Sequence, residues 1–187
     1  MRTGQILDLT SISREIGVSF TTAKRWLSLL ETGYQILQVQ PYYKNINKRL
    51  VKRPKIYFTN TGLAAYLLGI NTPENLISGP FFGPIFETLV VTDFWKRFLH
   101  HGMLPSMYYL RTQDGLEVDL ILELGGKLNL IEIKSSATVR PEHAVSLKRA
   151  VHDLKDILGK SLIISLEEKR FMLTENIEHR PISSLIY

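Results

Sequence analysis

Between Met107 and Lys134 one pattern repeats: an apolar run, then a glycine-bearing turn. Met107-Tyr108-Tyr109-Leu110-Arg111 leads into Gln113-Asp114-Gly115, Leu116 to Glu123 leads into Gly125-Gly126, and Leu128 to Lys134 closes the series. Asp-Gly and Gly-Gly pairs supply the positive φ angles that tight hairpins demand. The pattern therefore predicts three consecutive antiparallel strands. A dense apolar helix over about residues 84–101 precedes them, with Pro84 in its first turn. A helix over about 141–158 and a strand over Ser161–Ser165 follow. The order helix, three strands, helix, strand is that of a mixed α/β (α+β) core.

Carboxylates interrupt this apolar framework. Side chains alternate along a strand, so Glu132 and Lys134 share one face. Asp119 sits among Val118, Leu120 and Ile121. If the strands pair across Gly125-Gly126, Asp119 and Glu132 meet on one surface. Two or three carboxylates suit a hard cation such as Mg²⁺ or Mn²⁺. A neighbouring lysine can orient a water and offset phosphoryl charge, while a metal lowers the water pKa. Glu87 lies on the helical face of Val90, Val91, Phe94 and Phe98. Two readings stay open for it: a first-turn acid that favours the helix dipole and reaches water, or a buried carboxylate that needs a partner or a metal.

The charge is unevenly distributed. The chain has 187 residues and a formal net charge of +5. Residues 1–70 hold 10 Lys+Arg and 3 Asp+Glu, and residues 71–187 hold 13 and 15. A basic module joined to an acidic one suggests a nucleic-acid partner for the first. Thr10 and Ser11 are candidate caps for a helix through Ile16. Ser19 is a candidate cap for a second helix, Phe20 to about Thr32, with Ala23, Trp26, Leu27 and Leu30 as its apolar stripe. Two helices joined through Gly17 form a helix-turn-helix pattern. A strand over 35–40, a basic loop and a strand over 56–58 then make a hairpin, and a short helix over 61–68 ends the module. Thr21, Thr22, Lys24 and Arg25 of the second helix, with Lys44, Lys48, Arg49, Lys52 and Arg53 of the hairpin, are the candidate DNA-binding residues. Tyr42 and Tyr43 suit packing of the hairpin better than base stacking.

Proline and glycine at Pro73, Gly79, Pro80, Gly83 and Pro84 place a linker over 71–83, between a module of residues 1–70 and a core of residues 84–187. Absence of cysteine excludes disulfides, cysteine-zinc sites and thiol catalysis. Without a long apolar run or a secretory signal, the expectation is a cytoplasmic protein with no membrane span. Gly159-Lys160-Ser161 is not the end of a P-loop: Leu154 stands where the first glycine belongs, and a strand follows. His100-His101 suit the end of a helix, and His143 and His152 are wrongly spaced for one helix face.

The residues of the second half resemble the PD-(D/E)XK phosphodiesterase superfamily, which includes restriction enzymes and archaeal Holliday-junction resolvases. The resemblance rests on Asp119, a twelve-residue gap and Glu132-Ile133-Lys134 within the αβββαβ order. It implies metal binding by Asp119 and Glu132 and a water-orienting role for Lys134. Glu87 matches the additional acid of the resolvase-like branch, which implies a metal-binding catalytic set of Glu87, Asp119, Glu132 and Lys134. Glu117-Val118 before Asp119 departs from the motif's proline. Ser135, Ser136 and Arg111 are weaker candidates for phosphate contact. The whole chain is similar to the C-terminal region of predicted bacterial and archaeal AAA-type ATPases, through residues 52–58, 61–65, 86–87, 115–119 and 131–134. That resemblance implies a winged helix-turn-helix before the nuclease-like core, and an ATPase domain that is absent from this chain. Three functions follow as expectations: a Mg-dependent deoxyribonuclease whose winged helix positions DNA, a catalytically silent DNA- or protein-binding regulator of an ATPase, and a dimerisation module forming a homodimer.

Overall fold

The computed structural model describes residues 2–43 and 50–185. Lys44, Lys48 and Arg49, expected as DNA contacts, lie outside the described residues. The chain forms two compact units: Met1–Gln40 with Arg53–Thr92, and Pro41–Lys52 with Asp93–Tyr187. No helix among the described residues is long and apolar enough to cross a membrane.

The first unit holds β1 (Gln5–Ile6), α1 (Leu9–Glu15), α2 (Phe20–Thr32), β2 (Ile36–Pro41), β3 (Lys55–Phe58), α3 (Thr61–Leu67), α4 (Pro73–Ile77) and the first half of α5 (Phe82–His100). Polar caps set the helix starts. Asp8, rather than Thr10 or Ser11, caps α1 by accepting the Ser11 N–H at 3.0 Å. That bond, aided by the Arg53 charge, holds the Asp8 carboxyl below its ordinary range. The earlier cap starts the helix two or three residues before the sequence expectation. Ser19 caps α2 as expected, accepting the Thr22 N–H at 3.1 Å. Gly33 is the C-cap of α2 and the left-handed Tyr34 (φ 56) follows it, and the Gln35 N–H returns to the Leu30 carbonyl at 2.8 Å. Antiparallel pairing gives the strand order β1-β3-β2, with Leu37 opposite Tyr57 and Gln5 opposite Ile56.

The expected apolar stripe of α2 is only partly covered. Ala23 is buried, but Trp26 is 49% exposed and Leu30 is 46% exposed. The helix contacts α1 and buries Ala23, while Leu27 is half-buried and Trp26 and Leu30 are at the surface. The span read as a linker contains α4, which Thr72 caps and Pro73 starts.

The second unit is built on a mixed six-stranded sheet. It contains β4 (Met107–Arg111), β5 (Glu117–Leu124), β6 (Lys127–Lys134), α6 (Val145–Leu154), β7 (Leu158–Ser165), β8 (Phe171–Thr174) and β9 (Ile177–Pro181). The strand order is β4-β5-β6-β7-β9-β8. The first three strands are the expected antiparallel series. Gly125 and Gly126 take φ 56 and 74, and Leu124 pairs with Lys127 across them, a two-residue turn with both central residues left-handed. The parallel crossover from β6 to β7 runs through a 3-10 turn, Pro141–Ala144, and then α6. Leu147, Ala150 and Leu154 of α6 meet Val118, Ile121, Leu130 and Ile163 of the sheet. Each fully buried leucine of this kind stabilises by about 1.5–3 kcal/mol.

The last segment adds two strands. β9 lies inside the sheet, parallel to β7, and β8 takes the edge. His179 on β9 explains this placement: its Nε2 meets Ser165 Oγ at 2.9 Å and its Nδ1 meets the Lys169 carbonyl at 2.7 Å. Both ring nitrogens are thus satisfied in a fully buried position.

Candidate functional site

The second unit brings together three of the four residues expected to act. The β4–β5 ladder slips by one residue: Tyr108 faces Ile121 but Leu110 faces Val118. Two steps along β4 therefore match three along β5, which places the extra residue in the Asp119–Leu120 stretch. Such a bulge re-aims a side chain. On the other side, Leu120 pairs with Ile131, so the next step sets Asp119 across from Glu132. Asp119 Oδ2 accepts the Ile133 N–H at 2.8 Å, and this bond fixes the carboxylate against β6. Lys134 Nζ donates to Glu132 Oε1 at 2.6 Å.

The electrostatics of this cluster are unbalanced. Glu132 is 5% exposed and Asp119 is 8% exposed. Burial, and then the Asp119 charge beside it, pushes the Glu132 carboxyl from 4.5 up to about 8, against the opposing pull of Lys134. Glu132 Oε2 is buried and has no hydrogen-bond partner among the described residues. An orphaned, crowded carboxylate oxygen of this kind is what a bound cation would satisfy. Asp119 and Glu132 are the donors this unit itself offers. Mg²⁺ is commonly held through one or two carboxylates, with waters and phosphate oxygens completing its shell, so the pair fits a metal that shares its coordination with substrate. Among the described residues no group of three or more His, Asp or Glu side chains is placed to hold a metal.

Glu87 belongs to the first unit, where it has protein partners. Lys55 Nζ donates to its Oε1 at 3.1 Å and the Tyr57 hydroxyl donates to the same oxygen at 2.7 Å. These contacts resolve the buried-acid anomaly without a metal. Lys55 is itself buried, which takes it out of the basic surface of the hairpin. The spacing of Lys55 and Tyr57 on β3 was the signal for this pair, because alternate residues of a strand share a face.

Of the DNA-binding candidates, Thr21, Lys24 and Arg25 are exposed on α2, while Thr22 is half-buried with its hydroxyl 2.9 Å from Ser19 Oγ. Lys52 is exposed, and Arg53 pairs with Asp8 at 3.2 Å. Tyr42 is buried against Tyr108, ring centroids 5.6 Å apart, and the Tyr43 hydroxyl donates to the Lys52 carbonyl. Both tyrosines thus have packing or backbone roles. Arg111 pairs with Glu117 at 3.6 Å, and Ser136 Oγ donates to the Thr138 carbonyl. Gly159-Lys160-Ser161 is part of β7, with Gly159 packed against the Asn129 side chain.

The model of a domain of unknown function, DUF4143, matches residues 82–185, more than half of the chain. The chain belongs to the DUF4143 family. The part that matches this family carries Glu87, Asp119, Glu132 and Lys134. Residues 1–74 match a second domain of unknown function, DUF8612. Uncharacterized proteins Rv2008c of Mycobacterium tuberculosis and Mb2031c of Mycobacterium bovis are each 33% identical over 184 residues, 98% of this chain. This DUF4143 chain spans 40% of the length of those relatives.

Proposed function

We propose that this chain is the DNA-binding, metal-dependent phosphodiesterase region of an ATPase-family protein, with a winged helix-turn-helix at residues 1–70 and a PD-(D/E)XK-like core. The orphaned Oε2 of Glu132 beside Asp119 carries the reading. Asp119 and Glu132 would hold Mg²⁺ or Mn²⁺, which when bound supplies Lewis acidity and a more acidic water. Lys134 orients the attacking water and offsets charge on the phosphoryl oxygens. Water adds across a P–O bond, leaving one phosphomonoester and one hydroxyl. Glu87, in the first unit, keeps its Lys55 and Tyr57 partners. The exposed Thr21, Lys24, Arg25 and Lys52 supply phosphate contacts that position the duplex.

Supercoiled, linear and branched DNA, incubated with Mg²⁺ or Mn²⁺, tests the reading. Wild type should cleave at least one substrate, and Asp119→Ala and Lys134→Ala should lose cleavage by 100-fold or more, on the order expected when metal or charge stabilisation is removed. Absence of metal-dependent cleavage on every substrate, or normal cleavage by both variants, overturns it.

A second reading is a catalytically silent DNA- or protein-binding region. It is favoured by the missing three-ligand cluster among the described residues and by the Lys134–Glu132 bond, which occupies the lysine. Salt-dependent DNA binding without cleavage supports it. A flat plot of log affinity against log salt excludes phosphate contact in either reading.

A further inference from the structure

The sheet of the second unit ends on β8. Among the described residues no strand lies beyond it, and no other segment bonds to the backbone of Phe171–Thr174. The outer side of the strand therefore presents N–H and C=O groups that can template a further strand. Leu173 packs against the core beneath, but Met172 is 58% exposed. Opposite charges bracket this segment. Lys169 precedes the strand and Glu175 opens the turn after it, at equal spacing on either side of Met172. Both are exposed, and neither side chain forms an ion pair or hydrogen bond among the described residues. The charges next to them are already matched, since Arg170 and Arg180 both hold Glu178.

We infer that β8 is a pairing edge for a second copy of this chain, joined antiparallel about a two-fold axis at Met172. Such an axis sets residues equally spaced before and after Met172 opposite one another. Lys169 of each copy then meets the partner's Glu175, and the two Met172 side chains lie together. A parallel pair would set lysine beside lysine and glutamate beside glutamate. Opposite charges across a strand pair stabilise it and like charges oppose it, so the two ends of β8 select the antiparallel arrangement. The ladder between β8 and β9 slips after Met172. That slip and the flanking lysine discourage indiscriminate edge pairing, and the matched charges leave one orientation open. A four-residue edge buries little area, so the pair is weak and forms at micromolar concentrations or above. The inference is independent of the phosphodiesterase reading, because neither Asp119 nor Glu132 takes part.

Sedimentation equilibrium of the full chain, from about 1 to 300 µM, tests the inference. The mass should rise from one chain toward two. Lys169→Glu and Glu175→Lys each turn two attractive pairs into two repulsive ones, and each should weaken association roughly tenfold or more. The double variant K169E/E175K exchanges the charges and should return to within about threefold of wild type. Both sites are exposed, so neither substitution removes a core contact. Amide exchange at Phe171–Thr174 should slow as wild type is concentrated and stay constant in the single variants. A chain that stays monomeric over the whole range overturns the inference. So does a dimer that tolerates both single reversals, or one that the double variant fails to restore, because association then uses another surface. Exchange at Phe171–Thr174 that ignores concentration, in a chain that does dimerise, overturns it as well. DNA cleavage, or its absence, leaves this result intact.

Discussion

Replacing Glu132 with glutamine should stabilise the metal-free protein at alkaline pH, although it breaks an ion pair. Glu132 holds its proton to about pH 8 in the folded chain, against an ordinary value of 4.5. Below pH 4.5 both folded and unfolded chains are protonated there, and no stability is lost. Between 4.5 and 8 the unfolded chain ionises while the folded chain does not, so stability falls as pH rises. Above 8 the loss is complete. Each pKa unit is worth about 1.4 kcal/mol, which sets a ceiling of about 5 kcal/mol on the total. Glutamine has nearly the same shape and does not titrate. It gives up the bond from Lys134 and gains an amide group that needs a partner, so a net gain of about 2 kcal/mol at pH 8.5 is expected. For a chain of this size that raises the melting temperature by roughly 4–8 °C.

Thermal and urea unfolding of wild type and Glu132→Gln in EDTA, at pH 5, 6.5 and 8.5, measures the effect. The two curves should lie close at pH 5 and diverge steadily, with glutamine above. Adding Mg²⁺ or Mn²⁺ should reverse the order, because a ligand that binds only the folded chain stabilises it by RT ln(1 + [L]/Kd), and glutamine lacks the charge to hold it. Parallel curves from pH 5 to 8.5 would refute the claim that Glu132 is a crowded, unsatisfied acid. Metal-induced stabilisation that persists in Glu132→Gln would refute its role as a ligand.

Three further outcomes test other parts of the structure. Lys55→Met removes the bond from Lys55 Nζ to Glu87 and should cost roughly 3 kcal/mol by denaturant unfolding; the double variant K55M/E87L should recover much of this, and equal loss in both would show that the pair is not the cause. Tyr34→Gly relieves the left-handed residue after α2 and should raise stability by about 1 kcal/mol; a lower melting temperature would show that the tyrosine ring contributes more than its backbone costs. Ser165→Ala removes the hydroxyl facing His179 Nε2 and should cost about 1–3 kcal/mol, with faster amide exchange in β9 and β8; unchanged exchange would remove the bond from the account of why β9 sits inside the sheet.

The middle of the chain was the most legible because two independent signals agree there. Apolar runs define β4 to β6, and Asp114-Gly115 and Gly125-Gly126 fix where they turn. The αβββαβ element order over residues 82–165 follows from those signals and from the helical periodicity around them. Other features depend on long-range partners that local pattern cannot supply. β1 is two residues long and exists through pairing with β3. The place of β9 beside β7 depends on a buried Ser–His contact between residues 165 and 179, which no local pattern announces. Trp26 and Leu30 have the spacing of core residues, yet only Ala23 finds neighbours close enough to bury it.

The site divides along the same line. Glu132 and Lys134 were placed on one face by strand alternation alone, and Asp119 by pairing across a two-residue turn. What alternation could not foresee is the bulge in β5, which brings Val118 and Ile121 to the same side and frees the intervening stretch to aim Asp119 at the Ile133 N–H. Burial is the first cause of the raised Glu132 pKa and the Asp119 charge the second; the regular β5–β6 pairing brings the two carboxylates together. A penalty of up to about 5 kcal/mol is a large share of the roughly 5–15 kcal/mol that stabilises a typical domain. Apolar side chains on β6 at that position would fold better, as replacements of buried ion pairs do. Burial first and the Asp119 charge second raise the cost of an ionised Glu132 in the metal-free chain, and the same buried, paired placement is the condition for two oxygens to grip one cation, so the unfavourable term in folding and the favourable term in binding share a structural origin.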